Sequence, residues 1–264
     1  MAKKLKAWDR LSIARSVQRP NAEDYIKCIF TDFIEFHGDR YYGDDKAVIG
    51  GIGLLENSPV TIIGIQKGKN LSENMERNFG SAHPEGYRKA LRLMKQAEKF
   101  NRPVICFINT AGAYCGVEAE ERGQGEAIAR NLMEIAKIKT PIISIIIGEG
   151  GSGGAIALAC GDRVWCLENA VYSILSPEGF ASILLKDSSK AKEVCEVMGI
   201  TSYDLLDKGV VEKVIKEPDV GAQNDVASVA EEIKKNLLED LKILKNKDKD
   251  ELIDERYKRF RIFA

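Results

Sequence analysis

Residues 142–161 read IISIIIGEGGSGGAIALACG. The first six are apolar except for Ser144 and of strand length, the last ten are uncharged and compatible with a helix, and five of the seven positions from Gly148 to Gly154 between them are glycine. A strand that is apolar throughout, instead of alternating, is covered on both faces. A strand that passes through a glycine-rich turn into a helix is the repeating unit of an α/β fold. Because SGGAIALACG carries no charge on any face, that helix is expected to be buried all round.

The same grammar continues on either side. Downstream, RVWCL (163–167) and 171–175 are strand-like, SPEG (176–179) leads into helical material, and VVEKVI (210–215) closes the series. Upstream, VICFIN (104–109) precedes a helix expected over 118–137. Two β-rich segments, 47–55 and 60–66, are joined by Glu56-Asn57-Ser58-Pro59 and read as a hairpin. Ile26, Phe30, Phe33 and Ile34 recur at helical spacing, which predicts a helix over 23–36, and Pro84 opens another that runs to about residue 100. The polar stretch 67–83 has little periodicity, and residues 216–224, with Pro218 and Gly221, have the composition of a linker. Ile233, Leu237, Leu241 and Leu244 mark a charged amphipathic helix, expected to dock on its own core or on a partner, with its own core favoured. The division that results is an N-terminal helical segment (1–22), an α/β core (23–216) and a C-terminal helical segment (217–264).

Composition narrows the function. The chain has 264 residues, 44% of them hydrophobic and 30% charged, with 39 Lys and Arg against 40 Asp and Glu. This is a globular profile, and there is no charge surplus to hold a nucleic acid by counterion release. No apolar run approaches the ~20 residues that span a bilayer, and MAKKLKAWDRL lacks the apolar region of a signal peptide, so a cytoplasmic protein is expected. The six cysteines contain no CxxC pair and are read as small hydrophobes rather than as disulfides or zinc ligands. His37 and His83 are the only histidines, which limits acid-base and metal chemistry.

The glycine motif fits three templates. Gly148, Gly150 and Gly153 satisfy the dinucleotide pattern GxGxxG, with Glu168 at the distance of a ribose-binding acid. Gly150, Ser152 and Gly154 satisfy GxSxG, but no histidine follows Ser152 to complete a hydrolase triad, and the serine is assigned to capping the next helix. A Walker A loop is excluded because no Lys-Ser or Lys-Thr pair follows. Common to all three is a turn of exposed backbone N–H groups at a helix start, which favours a negative oxygen and stabilises an oxyanion without a titrating side chain. Packing alone would explain two of the glycines and is strained by five. A second such loop, NTAGAYCG (109–116), ends strand 104–109 and precedes Glu118, Glu120 and Glu121, which read as a solvated first turn. Two loops at the carboxyl ends of successive strands imply one shared crevice, which Tyr114 and Cys115 could line.

Taken together, FHGDRYYGDDKAVIGGIGLL (36–55), RNFGSAHPEGYRKALRLM (77–94), AEERGQGEAIARNL (119–132), GEGGSGGAIALACGD (148–162) and YSILSPEGFASIL (172–184) closely resemble the α-subunit family of bacterial acetyl-coenzyme A carboxylase carboxyltransferases. The likeness runs from Trp8 to the C-terminal helices. It implies a crotonase-type (ClpP-like) spiral of repeated ββα units rather than a doubly wound sheet. It also implies transfer of a carboxyl group from carboxybiotin, delivered on a biotin carboxyl carrier protein, to acetyl-coenzyme A bound by a zinc-ribbon β subunit. The product is malonyl-coenzyme A, for fatty acid synthesis.

By the resemblance, Gly150 and Gly151 donate N–H groups to the ureido oxygen of biotin. Gly112, Ala113, Tyr114, Gly148, Ser152 and Gly153 line the carboxybiotin crevice. The chain itself holds no cofactor and no metal, and its partners, including biotin carboxylase, assemble around an α2β2 heterotetramer. The freed biotin nitrogen serves as base, which suits a chain with no histidine beside either glycine loop. The family's usual DTPGAYPG is NTAGAYCG here, so Asn109, Ala111 and Cys115 replace an acid and two prolines that would stiffen the loop. Longer members carry a helical extension before AWDRLSIARSVQRP that is mostly absent from this chain. Two other classes compete: a stand-alone crotonase-fold acyl-coenzyme A hydratase or thioesterase, and an inactive regulatory subunit.

Overall fold

A computed structural model describes residues 5–263; residues 1–4 of the expected N-terminal segment and residue 264 of the C-terminal one lie outside the described residues. In chain order the elements are α1 (Ala7–Ala14), α2 (Ala22–Ile29), β1 (Thr31–Glu35), β2 (Val48–Leu55), β3 (Ser58–Ile65), α3 (Leu71–Glu76), α4 (Pro84–Lys99) and β4 (Val104–Thr110). There follow α5 (Val117–Glu121), α6 (Gln124–Ile135), β5 (Ile142–Gly151), α7 (Ser152–Ile156), β6 (Arg163–Leu167), β7 (Val171–Ser173) and α8 (Pro177–Leu185). The chain closes with α9 (Ala191–Cys195), α10 (Ser202–Asp207), β8 (Lys213–Ile215), α11 (Val226–Lys245) and α12 (Lys249–Arg261).

One sheet organises them, in the order β1-β2-β3-β4-β5-β6-β8, with β7 paired to the far end of β5. The β1–β2 and β2–β3 pairs are antiparallel and the rest are parallel. β4 is buried along its whole length and β5 to its penultimate residue, as continuous apolar strands require. The hairpin of β2 and β3 is as expected, with Leu55 opposite Ser58. α4 lays Tyr87, Ala90, Leu93, Met94 and Ala97 into the core; each large side chain so buried contributes about 1.5–3 kcal/mol.

Three expectations need correction. The helix over 23–36 stops at Ile29: Asp32 takes a left-handed φ of 52° and Ile34 pairs with Ile52 of β2, so tertiary pairing claims residues whose spacing was equally helical. The helix over 118–137 is two helices, because Gly123 sits between them at φ 83°. Residues 216–224 are not a loose linker. Glu217 is buried there, bound by Arg19 at 2.6 and 2.7 Å and by the Asn169 backbone N–H at 2.9 Å. In α11, Ile233, Leu237, Leu241 and Leu244 are buried in the main core, so that helix docks on its own chain. A smaller second cluster joins Leu11 and Ala14 of α1 to Val171, Cys195 and Ile200. No described helix is long and apolar enough to cross a membrane.

Candidate active site

The glycine motif is strand for most of its length. β5 continues to Gly151, with Gly150 opposite both Thr110 of β4 and Tyr172 of β7, and Gly151 opposite Ser173. Only Ser152 onward is helix, and α7 is a short one. A side chain on Gly148 would collide with the Asn109 amide, on Gly151 with the Ala111 carbonyl, and on Gly154 with the backbone of Gly112 and Ala113. Gly150 is tight against Tyr172 and Ile146, at 3.0 and 3.1 Å from a Cβ; Gly153 alone would make ordinary contact, with Ile128 at 3.6 Å. Close packing between the two loops, against backbone at Gly151 and Gly154 and against the Asn109 side chain at Gly148, therefore accounts for three of the five glycines, one more than expected. The same contacts bring the loops together, as the sequence implied.

A cleft of about 240 Å³ opens beside this junction. Ala111, Gly150, Gly151 and Ser152 line it together with the apolar side chains of Val171 and Ile200. A neighbouring groove of about 380 Å³ is lined by Ser152, Gly153, Ile156 and Ile174. Ile156 is 37% exposed and Ile174 88%, so α7 is not buried all round; its apolar outer face lines this groove. Of the crevice residues inferred from sequence, Gly150, Gly151, Ser152 and Gly153 meet here. Gly148 is buried beneath Asn109, Gly112 and Ala113 press on Gly154 from behind, and Tyr114 points elsewhere.

Ser152 departs from its assigned role. The N-cap of α7 is Gly151, no side chain caps the helix, and Ser152 is its first residue, exposed and at a left-handed φ of 48°. Such a conformation is costly for a residue with a Cβ and gathers at functional sites. Glu168 is likewise not placed for a ribose: Tyr203 donates to it at 2.6 Å, the Glu217 N–H at 3.1 Å, and Lys216 is its ion pair.

Sequence reading missed the charges behind the cleft. Glu149, between Gly148 and Gly150, is buried and accepts from Arg15 Nε at 2.8 Å and from Lys67, while its own N–H donates to Asn109 Oδ1 at 3.1 Å. Arg15 reaches on to Glu178 at 2.6 and 3.2 Å. Burial alone would raise the Glu149 carboxyl; the Lys67 and Arg15 cations outweigh it and hold the group below the usual glutamate range. A glutamate inside a glycine motif was a signal that could have prompted a search for its cations; the distance of Arg15 and Lys67 along the chain hid them.

The second loop is braced without the prolines. Thr110 Oγ1 donates to Gly112 O at 2.8 Å and accepts the Gly112 N–H at 3.1 Å, and Gln124 Nε2 donates to Tyr114 O and Ala82 O. His83 does stand beside this loop, contrary to expectation: its ring stacks on Tyr114 with centroids 4.1 Å apart, and Nδ1 lies 2.9 Å from Asn78 Nδ2. Glu118 holds the Tyr114 phenol above its usual range. Glu118, Glu120 and Glu121 are exposed on α5, as a solvated first turn should be.

Residues 1–264 match the family described as acetyl co-enzyme A carboxylase carboxyltransferase-like. The chain belongs to that family. It is 61% identical over 260 residues to the acetyl-coenzyme A carboxylase carboxyl transferase subunit alpha of Clostridium acetobutylicum, covering 98% of this chain and 95% of that one. It is 60% identical over 261 residues to the beta/alpha protein of the same enzyme in Clostridium tetani, covering 99% of this chain and 45% of that longer one.

Solved structures share the fold. A transcarboxylase 12S with methylmalonyl-coenzyme A bound superposes with a TM-score of 0.65 at 18% identity, over 84% of this chain and 44% of that one. A Pseudomonas malonate decarboxylase heterotetramer in complex with coenzyme A gives 0.67 at 14% identity, over 81% and 86%. The architecture is thus the crotonase-type fold and not a doubly wound sheet, and the chain is a carboxyltransferase subunit of acetyl-coenzyme A carboxylase.

Proposed function

We propose that this chain supplies the carboxybiotin half of a carboxyl-transfer site, acting in the cytoplasm with a β subunit that holds acetyl-coenzyme A. The observation that carries this reading is the junction of the two glycine loops at the carboxyl ends of adjacent parallel strands, with the cleft beside it. An uncharged ring with one polar oxygen suits a cleft whose floor is glycine backbone and whose walls are Val171, Leu175 and Ile200. Carboxybiotin, brought by the carrier protein that biotin carboxylase charges, would supply the carboxyl group.

The chain's own part is binding and polarisation. Gly150 and Gly151 are the proposed backbone donors, aimed where negative charge develops on the ring oxygen. Sheet pairing on both sides fixes the peptide of Gly150, and first-turn N–H groups of α7, which have no helical partner, extend the polar floor toward Gly153. Glu149 sits behind the floor, neutralised by Arg15 and Lys67, and so adds no repulsion to the developing charge. Ser152 and Gly153 line the passage from the cleft to the apolar groove, and Gly112, Ala113 and Tyr114 build the loop that backs it. Ile156 and Ile174 give that groove an exposed apolar rim suited to a second subunit. The fusion of beta and alpha sequences in the Clostridium tetani relative supports such a pairing, in an assembly we take as α2β2.

Reconstitution tests it. The chain mixed with its β subunit and a carboxylated carrier should form malonyl-coenzyme A, and the chain alone should not. Product formation by the isolated chain, or hydration or thioester hydrolysis without a partner, would return the stand-alone enzyme; an inert mixture would return the regulatory subunit.

A further inference from the structure

Arg40, in the loop from His37 to Asp45, and Arg92, on α4 beside it, make no salt bridge to a carboxylate among the described residues. Asp39 is buried and accepts the N–H groups of Tyr41, Tyr42 and Gly43 at 2.9, 2.8 and 3.0 Å, with Arg88 Nε on its other oxygen at 2.7 Å. This nest holds Gly38 and Arg40 at left-handed φ of 75° and 67°, a cost for Arg40 that the loop must enforce. Arg40 Nη1 then donates to His37 O at 2.7 Å, and Arg92 donates to Gly38 O at 3.1 Å and to His37 O at 3.4 Å. Two guanidinium groups thus converge on adjacent carbonyls. The loop's carboxylates are committed elsewhere, Asp39 to Arg88 and Asp44 to Lys89 and His37. Burial first and then the neighbouring Arg40 hold Arg92 below the usual arginine range, against the partial opposing pull of Asp39 and Asp44, which are themselves bound to Arg88 and Lys89.

Beside this pair two aromatic rings are displayed. Tyr41 is 85% exposed and Tyr42 65%, each with one face on a guanidinium, Arg88 at 5.1 Å and Arg122 at 4.6 Å. The place lies at the same end of the sheet as the cleft, with β2, β3 and β4 between β1 and β5. β1 and β3 both run antiparallel to β2, so the loop between β1 and β2 lies on the sheet edge where β3, β4 and β5 end. Arg122 itself follows the glycine loop through α5.

We propose that Arg40 and Arg92, flanked by Tyr41 and Tyr42, form a subsite for the phosphate-bearing nucleotide end of the acyl-coenzyme A substrate; this rests on the carboxyl-transfer reading above. Guanidinium forks match phosphate oxygens, and an exposed tyrosine face accepts a purine. Of the two substrates in that reading only the coenzyme carries phosphates. A free phosphate or nucleotide has the same chemistry and is separated by experiment.

The double variant Arg40→Gln, Arg92→Gln, assembled with the β subunit, is compared with the unsubstituted complex on acetyl-coenzyme A and on S-acetylpantetheine, which lacks the phosphates and the nucleotide. The ratio of kcat/KM for acetyl-coenzyme A over S-acetylpantetheine should fall about tenfold or more, chiefly through KM, and the Arg40→Lys, Arg92→Lys pair should restore part of it. Calorimetric binding of adenosine 3′,5′-bisphosphate should weaken in parallel. Weakened binding of that nucleotide or of inorganic phosphate with an unchanged ratio would keep the anion subsite and assign it to a free ligand. An unchanged ratio together with unchanged binding overturns the proposal, as does an equal loss on both thioesters. If the unsubstituted complex transfers no carboxyl group at all, the parent reading has failed, and the calorimetric arm still decides whether the anion subsite exists.

Discussion

Arg15 Nε donates to Glu149 Oε1 at 2.8 Å, and the other two nitrogens of the same guanidinium hold Glu178. One side chain at the end of α1 thereby joins the glycine strand to α8, a helix that buries only Pro177 and Ala181. Arg19 adds a second hold, donating to Ile147 O at 2.8 Å, so the residues on both sides of Gly148 are gripped by the N-terminal segment. Arg15→Met should therefore loosen the floor of the cleft. We expect turnover of the assembled enzyme to fall by up to ~100-fold, the scale of a misplaced reacting group, with little change in KM for acetyl-coenzyme A. Arg15→Lys should recover only part, since one ammonium cannot serve two carboxylates in forked geometry. Steady-state kinetics of the three proteins check this, and equal turnover in all three would detach Arg15 from the site.

The same ion cluster has a pH signature. Glu149 is held below its unfolded value of about 4.3. A carboxylate depressed in the folded state contributes stability that is fully present above the unfolded pKa and is lost as pH falls through the folded one. Thermal unfolding of the unsubstituted chain and of Glu149→Gln, followed from pH 7 to pH 3, should show a gap that is widest near neutrality and closes below about pH 4.3. A gap that widens on acidification would reverse the sign of the argument.

Much of this was readable from the chain. Continuous apolar strands at 104–109 and 142–147, joined to glycine loops, reported both the buried parallel strands and their shared edge, because burial on two faces leaves no alternation to misread. Phe33 and Ile34 were misassigned because a short apolar run fits either period and only pairing with Ile52 decides it. Glu217 was hidden for a different reason: its partner Arg19 lies 198 positions away, and nothing local to Pro218 and Gly221 reports a buried ion pair. The candidate site divides in the same way. Its backbone was visible as glycine, while Arg15 and Lys67 become visible only when the sheet brings them to Glu149.

Glycine substitutions separate packing from binding. A methyl group on Gly151 would enter the Ala111 carbonyl, so Gly151→Ala should destabilise the fold by about 1–3 kcal/mol or more, and Gly151→Val by more again. Lost activity there reports the loop junction as much as the cleft. Gly153→Ala meets only Ile128, at 3.6 and 3.9 Å, and adds a better helix former to α7, so stability should rise by about 0.5–1 kcal/mol. Reduced turnover in that stable variant, measured against its urea midpoint, would place substrate against Gly153.

Ser152 caps nothing, so Ser152→Ala should leave stability within about 0.5 kcal/mol and keep most of the carboxyl-transfer rate. Ser152→Gly should gain, since glycine removes about 1–2 kcal/mol of left-handed strain at φ 48° against about 0.4–1 kcal/mol of added freedom in the unfolded chain. Calorimetry on both variants tests the strain. A trapped acyl-serine, with activity lost in the alanine variant, would restore the hydrolase reading.

Arg256 is the most deeply buried polar hold on the C-terminal helix, beside Leu252 in the core and Arg259 on Glu212. Arg256, with its side chain 1% exposed, donates to both oxygens of Asp162 at 2.8 and 2.9 Å and to the carbonyls of Ile135, Ile138 and Thr140 at 2.7, 2.7 and 3.1 Å. Asp162 also accepts the Ile142 N–H at 2.7 Å, at the start of the strand that ends in the glycine motif. Arg256→Met would leave a buried carboxylate and three carbonyls without their donor, and should cost about 3–5 kcal/mol in urea unfolding. Replacing both partners, as in Arg256→Met with Asp162→Asn, should return part of that loss, because an unpaired buried charge costs more than an absent pair. Additive losses in the double variant would mean that the two side chains act independently. A loss below about 1 kcal/mol in the single variant would be a surface-like response and would mean that α12 does not dock as described.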